Sequence, residues 1–339
     1  MLGVLIIPTG INCEIGGHAG DANPVAKLLA SCCDKLIIHP NVVNASDINE
    51  MTTNTLYVEG SILDRFLEGE IELEEVKSNK ILCVCNKPAT HLTLNAVSAA
   101  RMTLGAHIEI LELDTPLEMV ATEKDGFATG NIYGFEELIE QVSTYDFDAL
   151  ALHTPIDIPR DVELNYYRNG GLNPMGGVEA KCSKLIANAL NLPVAHAPYD
   201  DTSQKDEEMY HIFDQEFEPR LAAEAISNCY LHCVLKGLHK APRIGTGINV
   251  KDVDVMVTPP NCIGRPHRAC IEHDIPVIAV EENKNHCHDV MPEEFIQVKN
   301  YWEVVGVIEC LKIGIEPSIV RRPIEKTTIY KSEGEKNDS

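Results

Sequence analysis

Nearly every short apolar run in this chain is followed by residues that can hydrogen-bond or titrate, and their types suit proton transfer on a small polar molecule. His39 and His196 each follow such a run and precede a proline, which fixes the local backbone. Either suits a general base near neutral pH. Cys262 follows Pro259 and Pro260 and stands just before Gly264 and a helix opening at Pro266. With Arg265, His267 and Arg268 close in sequence, its thiol is expected to have a lowered pKa and to act as nucleophile or proton donor. Cys13 holds the matching place after the first run, so the pair has the layout of racemases that use two cysteines as acid and base. Simple burial is the competing reading for both thiols. Glu59 and Glu281, at two further run ends, are expected to orient a histidine or the substrate.

The first loop supplies the binding chemistry. Thr9 and Gly10 lead to Gly16, Gly17, Gly20 and Asp21, ahead of a helix start at Asn23-Pro24. Backbone amides at such a place turn toward an anion. Thr9, Gly10, Gly16, Gly17 and Asp21 are therefore the expected polar or anion pocket, with Asn41 and Asn283 as further ligand contacts. The loop has neither the Lys-Ser/Thr of an ATP-binding loop nor GxGxxG spacing, so it carries no ATP or NAD fingerprint. The cofactor is left open. A divalent metal would fall to His286 and His288, although no CxxC or HExxH spacing supports one.

Elements of alternating type must position these residues. Compact apolar runs predict strands at Leu2–Ile7, Lys35–Ile38, Thr55–Val58, Ile81–Cys85, Ile108–Leu113, Ala149–Leu152, Pro193–Ala195, Val253–Val257 and Val277–Val280. Helical spacing falls between them, at Pro24–Cys33, Leu92–Leu104, Phe135–Ser143, Val178–Leu190, Pro219–Leu238, Pro266–His273 and Tyr301–Ile313. This alternation predicts a doubly wound α/β fold, with a mostly parallel sheet covered by helices on both faces and two lobes. Weak periodicity over 155–174 places the division between lobes at 1–155 and 156–325, followed by a polar tail, 326–339. Residues 200–218 read as an acidic surface loop or lid, and 68–75 as a solvated face.

Composition narrows the class. The 339 residues carry 28 basic and 52 acidic side chains, a formal charge of −24, which repels nucleic acid and anionic lipid alike. No stretch reaches the roughly 18 apolar residues that span a bilayer. Twelve cysteines without a secretory signal predict reduced thiols in the cytoplasm. The expected protein is thus a cytoplasmic enzyme for a carboxylate- or phosphate-bearing metabolite, an isomerase, lyase or hydrolase, of a size at which many α/β enzymes form homo-oligomers. The alternative is a metabolite- or metal-binding protein without catalysis. Neither nucleic acid nor membrane is an expected partner.

Blocks along the chain resemble the domain of unknown function 3326 family. They are LIIPTG at 5–10, IGGHAGDANPVA at 15–26, CDKLIIHPNVVNAS at 33–46, LYVEGSILDRF at 56–66, GGLNPMGGVEA at 170–180, LPVAHAP at 192–198, HCVLKGLHKAP at 232–242 and IAVEEN at 278–283. The resemblance implies one continuous soluble architecture with no recognised cofactor motif and no established activity. It favours Cys262, His39 and His196 over Cys13, His286 and His288, which fall where the family's pattern is looser.

Overall fold

The computed structural model describes residues 1–18, 20–43, 45–199, 218–225 and 230–330. The expected acidic loop, apart from Glu218, and residues 331–339 of the tail lie outside the described residues. The strands begin with β1 (Leu2–Leu5), β2 (Lys35–Ile38), β3 (Thr55–Tyr57), β4 (Glu72–Glu74), β5 (Lys80–Asn86) and β6 (His107–Leu113). There follow β7 (Glu118–Lys124), β8 (Phe127–Tyr133), β9 (Ala149–His153), β10 (Ile156–Asp157) and β11 (Val194–His196). The last are β12 (Arg243–Gly245), β13 (Val253–Thr258), β14 (Val277–Val280) and β15 (Ile296–Val298).

Two parallel sheets organise these strands. The larger has the order β15-β14-β13-β1-β2-β3 and the smaller β11-β9-β5-β6. Every residue of β1 is buried, so the strand needs a neighbour on each side and helices on each face. It takes β2 from the start of the chain and β13 from near its end. The smaller sheet is therefore inserted between two portions of the larger one. The division expected at 155/156 instead separates β9 from β11, which are paired in one sheet.

Helices cover both faces of each sheet, so the doubly wound α/β arrangement holds. Helices Asn23–Ala30 and Tyr301–Lys312 pack beside Leu5, Ile38, Val255 and Val257, while Gly60–Leu67 and Arg265–Glu272 pack beside Val4, Ile37 and Met256. On the smaller sheet, helices His91–Leu104 and Tyr230–Lys240 cover Ile81, Cys83 and Ala149. Helices Phe135–Val142 and Gly176–Leu190 cover Leu82, Val84 and Leu150 on its other face. Each Leu, Ile or Val so buried contributes about 1.5–3 kcal/mol of hydrophobic stabilisation before entropy is counted.

Some elements differ from expectation. The helix predicted over 219–238 is described as Pro219–Ala225 and Tyr230–Lys240, with 226–229 outside the described residues. The β7–β8 hairpin was not expected, although Asp125-Gly126 adopts the positive φ values, 54° and 80°, that a tight hairpin turn needs. The weakly periodic stretch before Pro174 holds helix Arg160–Asn169.

Strand order reverses between β1 and β13 in the larger sheet and between β5 and β9 in the smaller. Such reversals open a crevice at the carboxyl ends of the strands, where ligands bind in open parallel sheets.

Candidate functional site

A cavity of about 1100 Å³ lies where the carboxyl ends of the two sheets meet. Its walls include Pro8–Ile11 after β1, His39–Asn41 after β2, Glu59 after β3, His153 ending β9, His196 ending β11 and Cys262 after β13. The first residues of helices Gly60–Leu67, Gly176–Leu190 and Arg265–Glu272 also line it. Their dipoles favour a negative ligand group. The volume stands at the upper end of small-molecule sites. Lys184 closes one side across the lobes, with Nζ 3.0 Å from the Asp64 carboxylate.

Of the expected binding residues, Thr9, Gly10, Gly16, Gly17 and Asn41 line the cavity. Asp21 and Asn283 do not; they hold the first loop from behind. Asp21 accepts from the Gly16 amide at 2.6 Å and from Arg220 Nε at 3.0 Å. Fully buried Asn283 accepts from the Ile15 amide at 2.8 Å and donates to the Ile15 carbonyl and the Tyr301 hydroxyl. Gly16 has φ +85°, and a Cβ there would meet Ile7 Cγ2 at 2.7 Å and the Asn41 carbonyl at 2.9 Å. The position requires glycine on both counts.

The expected catalytic residues divide sharply. His196 lines the cavity and is held at both nitrogens: Nδ1 is 2.9 Å from Glu179 and Nε2 is 2.9 Å from the Thr154 carbonyl. The Thr154 hydroxyl also lies 3.2 Å from Nε2, so one ring proton suffices: Nδ1–H donates to the Glu179 carboxylate and Nε2 accepts from the hydroxyl. His39 also lines the cavity, but burial lowers its pKa to about 4, and its Nδ1 accepts from the Asn41 amide at 3.2 Å. The ring is therefore neutral near pH 7, with its Nδ1 lone pair taken by the Asn41 amide. Gly60 makes room for it, since a Cβ would sit 2.9 Å from His39 Nε2.

Glu59 caps helix Gly60–Leu67, accepting from the Ser61 and Ile62 amides and the Ser61 hydroxyl. Burial raises its carboxyl pKa. Glu281 is exposed and is not among the cavity-lining residues.

The low thiol pKa expected at Cys262 is corrected: burial pushes it up to about 12. Its Sγ donates to the Pro259 carbonyl at 3.4 Å. Arg265 is drawn off to Glu68 and Asp64, and burial keeps His267 neutral, with a pKa of about 4. Burial also raises the thiol of Cys13, at the same end of the cavity. The metal candidates are exposed, and His286 Nε2 lies 3.0 Å from the Asn12 amide nitrogen. Among the described residues, no group of three His, Cys, Asp or Glu side chains is placed to hold a metal ion.

Three residues linked by hydrogen bonds at the cavity wall were missed as a group. His18 lines the cavity, and its Nδ1 lies 2.8 Å from the Tyr166 hydroxyl, which donates to Glu224 at 2.9 Å. His153, another wall residue, has Nδ1 3.0 Å from Thr93 and a pKa lowered to about 4 by burial. Histidine in a glycine loop was a visible signal for His18. Nothing in spacing joins residues 18, 166 and 224.

Among the described residues, no helix is long and apolar enough to cross a membrane. No solved structure matches the chain. It is 35% identical over 340 residues to an uncharacterised lipoprotein of Synechococcus sp., covering 93% of this chain and 92% of that protein. That name corrects the expectation of a cytoplasmic protein. The model of a family described as a protein of unknown function, DUF3326, matches residues 2–321, and the chain belongs to that family.

Proposed function

We propose that this chain is an enzyme that moves protons on a small polar metabolite held between its two sheets. The metabolite carries a carboxylate or phosphate, and the reaction is an isomerisation or racemisation, an elimination or a hydrolysis. One observation carries the reading: His196 Nδ1 lies 2.9 Å from the Glu179 carboxylate at the wall of a cavity built from strand exits and helix N-termini. Thr9, Gly10, Gly17 and Asn41 supply polar groups for orientation, and the thiol has no part in the chemistry.

A thermal-shift screen against carboxylated and phosphorylated metabolites identifies binders, and nuclear magnetic resonance follows each for conversion. Glu179→Gln is expected to lower turnover by about 100-fold or more, the usual contribution of a positioned acid or base. Turnover kept by this variant would sink the assignment. Binding without conversion would favour the second reading, a metabolite-binding protein, which is supported by the engagement of both ring nitrogens in His196 and His267.

A further inference from the structure

We propose that His18 is the general base of the cavity, with Nε2 facing the metabolite and Nδ1 held by Tyr166 and Glu224. The proposal rests on the acid–base reading above and names the residue that takes the proton.

The assignment begins with counting protons. The Tyr166 hydroxyl has one, and it points to Glu224 at 2.9 Å. Its oxygen can then only accept from His18, so the proton of the neutral imidazole sits on Nδ1, 2.8 Å away. Nε2 keeps its lone pair, and it has no hydrogen-bond partner among the described residues. His18 is 8% exposed and belongs to the cavity wall, so that lone pair is sheltered yet within reach of a ligand.

Glu224 stands 3.7 Å from Nδ1 and is itself buried, so the charge formed on the ring has an anion behind it. Asn173 donates to the other Glu224 oxygen at 3.2 Å and keeps the carboxylate turned toward the tyrosine. Among the described residues no other cavity histidine combines these properties: no carboxylate is hydrogen-bonded to or paired with His39 or His153, and both nitrogens of His267 and His196 are engaged.

In the step itself, a substrate O–H bond, or a C–H bond next to a carbonyl, breaks and leaves its electron pair on the substrate. The proton forms a new Nε2–H bond. The imidazolium keeps its Nδ1–H bond to Tyr166, and Glu224 balances the charge. No oxidant, reductant or second reactant is needed. Tyr166 and Glu224 are positioning residues. Both come from the inserted portion of the chain, whereas His18 comes from the loop after β1. The set therefore assembles only when the two lobes are together.

The free full-length protein tests this without any metabolite. In ¹⁵N-histidine spectra, His18 is expected to show protonated Nδ1 and bare Nε2. Diethyl pyrocarbonate, mapped by peptide mass, is expected to acylate His18 at least about tenfold faster than buried His267. Tyr166→Phe, which keeps the ring and removes the hydroxyl, is expected to convert the single tautomer signal into a mixture. An Nε2–H tautomer, protection equal to that of His267, or a signal unmoved in Tyr166→Phe overturns the assignment. The metabolite screen decides the enzymatic reading separately: the assignment fails if His18→Asn keeps the wild-type turnover, and the parent reading fails if wild type turns over none of its binders.

Discussion

His267 offers the sharpest test of the electrostatics. It is 1% exposed, with Nε2 2.9 Å from the Thr258 hydroxyl and Nδ1 accepting from the Gly264 amide at 3.1 Å. A proton on Nδ1 breaks the second bond and places a charge among apolar groups. Burial accordingly lowers the pKa from 6.5 to about 4. Such a ring takes its proton mainly in the unfolded chain. Stability is therefore complete above pH 6.5, falls by about 1.4 kcal/mol per pH unit on acidification, and levels off below about pH 4. The full loss is about 3 kcal/mol, and His153, equally buried and shifted, adds a similar amount. Against a typical total of about 5–15 kcal/mol, that is enough to make the fold acid-sensitive. Burial raises the carboxyls of Asp21, Glu59 and Asp64, which act in the opposite sense, but a variant comparison cancels them. Urea melts at pH 7, 6 and 5 should show a smaller loss of stability in His267→Asn, by about 0.7 kcal/mol from pH 7 to 6 and about 1.2 kcal/mol from pH 6 to 5. His153→Gln provides the same reading at a second site. Wild-type slopes in both variants would refute the reasoning.

Further outcomes follow from the same contacts. Asn283→Ala removes three hydrogen bonds behind the first loop, so chemical denaturation should register a loss of about 1–3 kcal/mol, together with weaker metabolite binding. Gly16→Ala forces a side chain into Ile7 at a positive φ and should cost about 1–3 kcal/mol by thermal melting. Cys262 should react with iodoacetamide more slowly than an exposed thiol at neutral pH, and Cys262→Ala should keep turnover within about threefold. His18→Asn should lower turnover by about 100-fold or more with little change in KM.

The strands that shape the cavity were legible because they are apolar on both faces. Lys35–Ile38 and Val277–Val280 match their predicted limits for that reason. The hairpin at 118–133 is only sparsely buried, with Met119, Ala121 and Gly130 among exposed or half-buried residues, and its sheet was hidden by the lack of a compact apolar run. His39, Glu59, His196 and Cys262, all read from strand exits, line one cavity. Their protonation was not legible, because pKa values follow burial and partners: a cation near in sequence, Arg265, pairs elsewhere in space. Glu281 shows the other limit, since an exit from a strand near the sheet's edge opens toward solvent.

The placement of β1 bears on how the molecule is made. Leu2 pairs with Lys35 on one side and Val253 on the other, so β1 leaves the ribosome and waits for a partner strand that emerges far later. At ordinary synthesis rates the delay is roughly 12 to 50 s. During that interval the inserted portion, complete in its own strands by β11, can fold while one flank of β1 stays bare. An unpaired apolar edge invites pairing with other chains. Nascent chains arrested before Val253 should therefore bind holding chaperones, and those arrested after β15 should not.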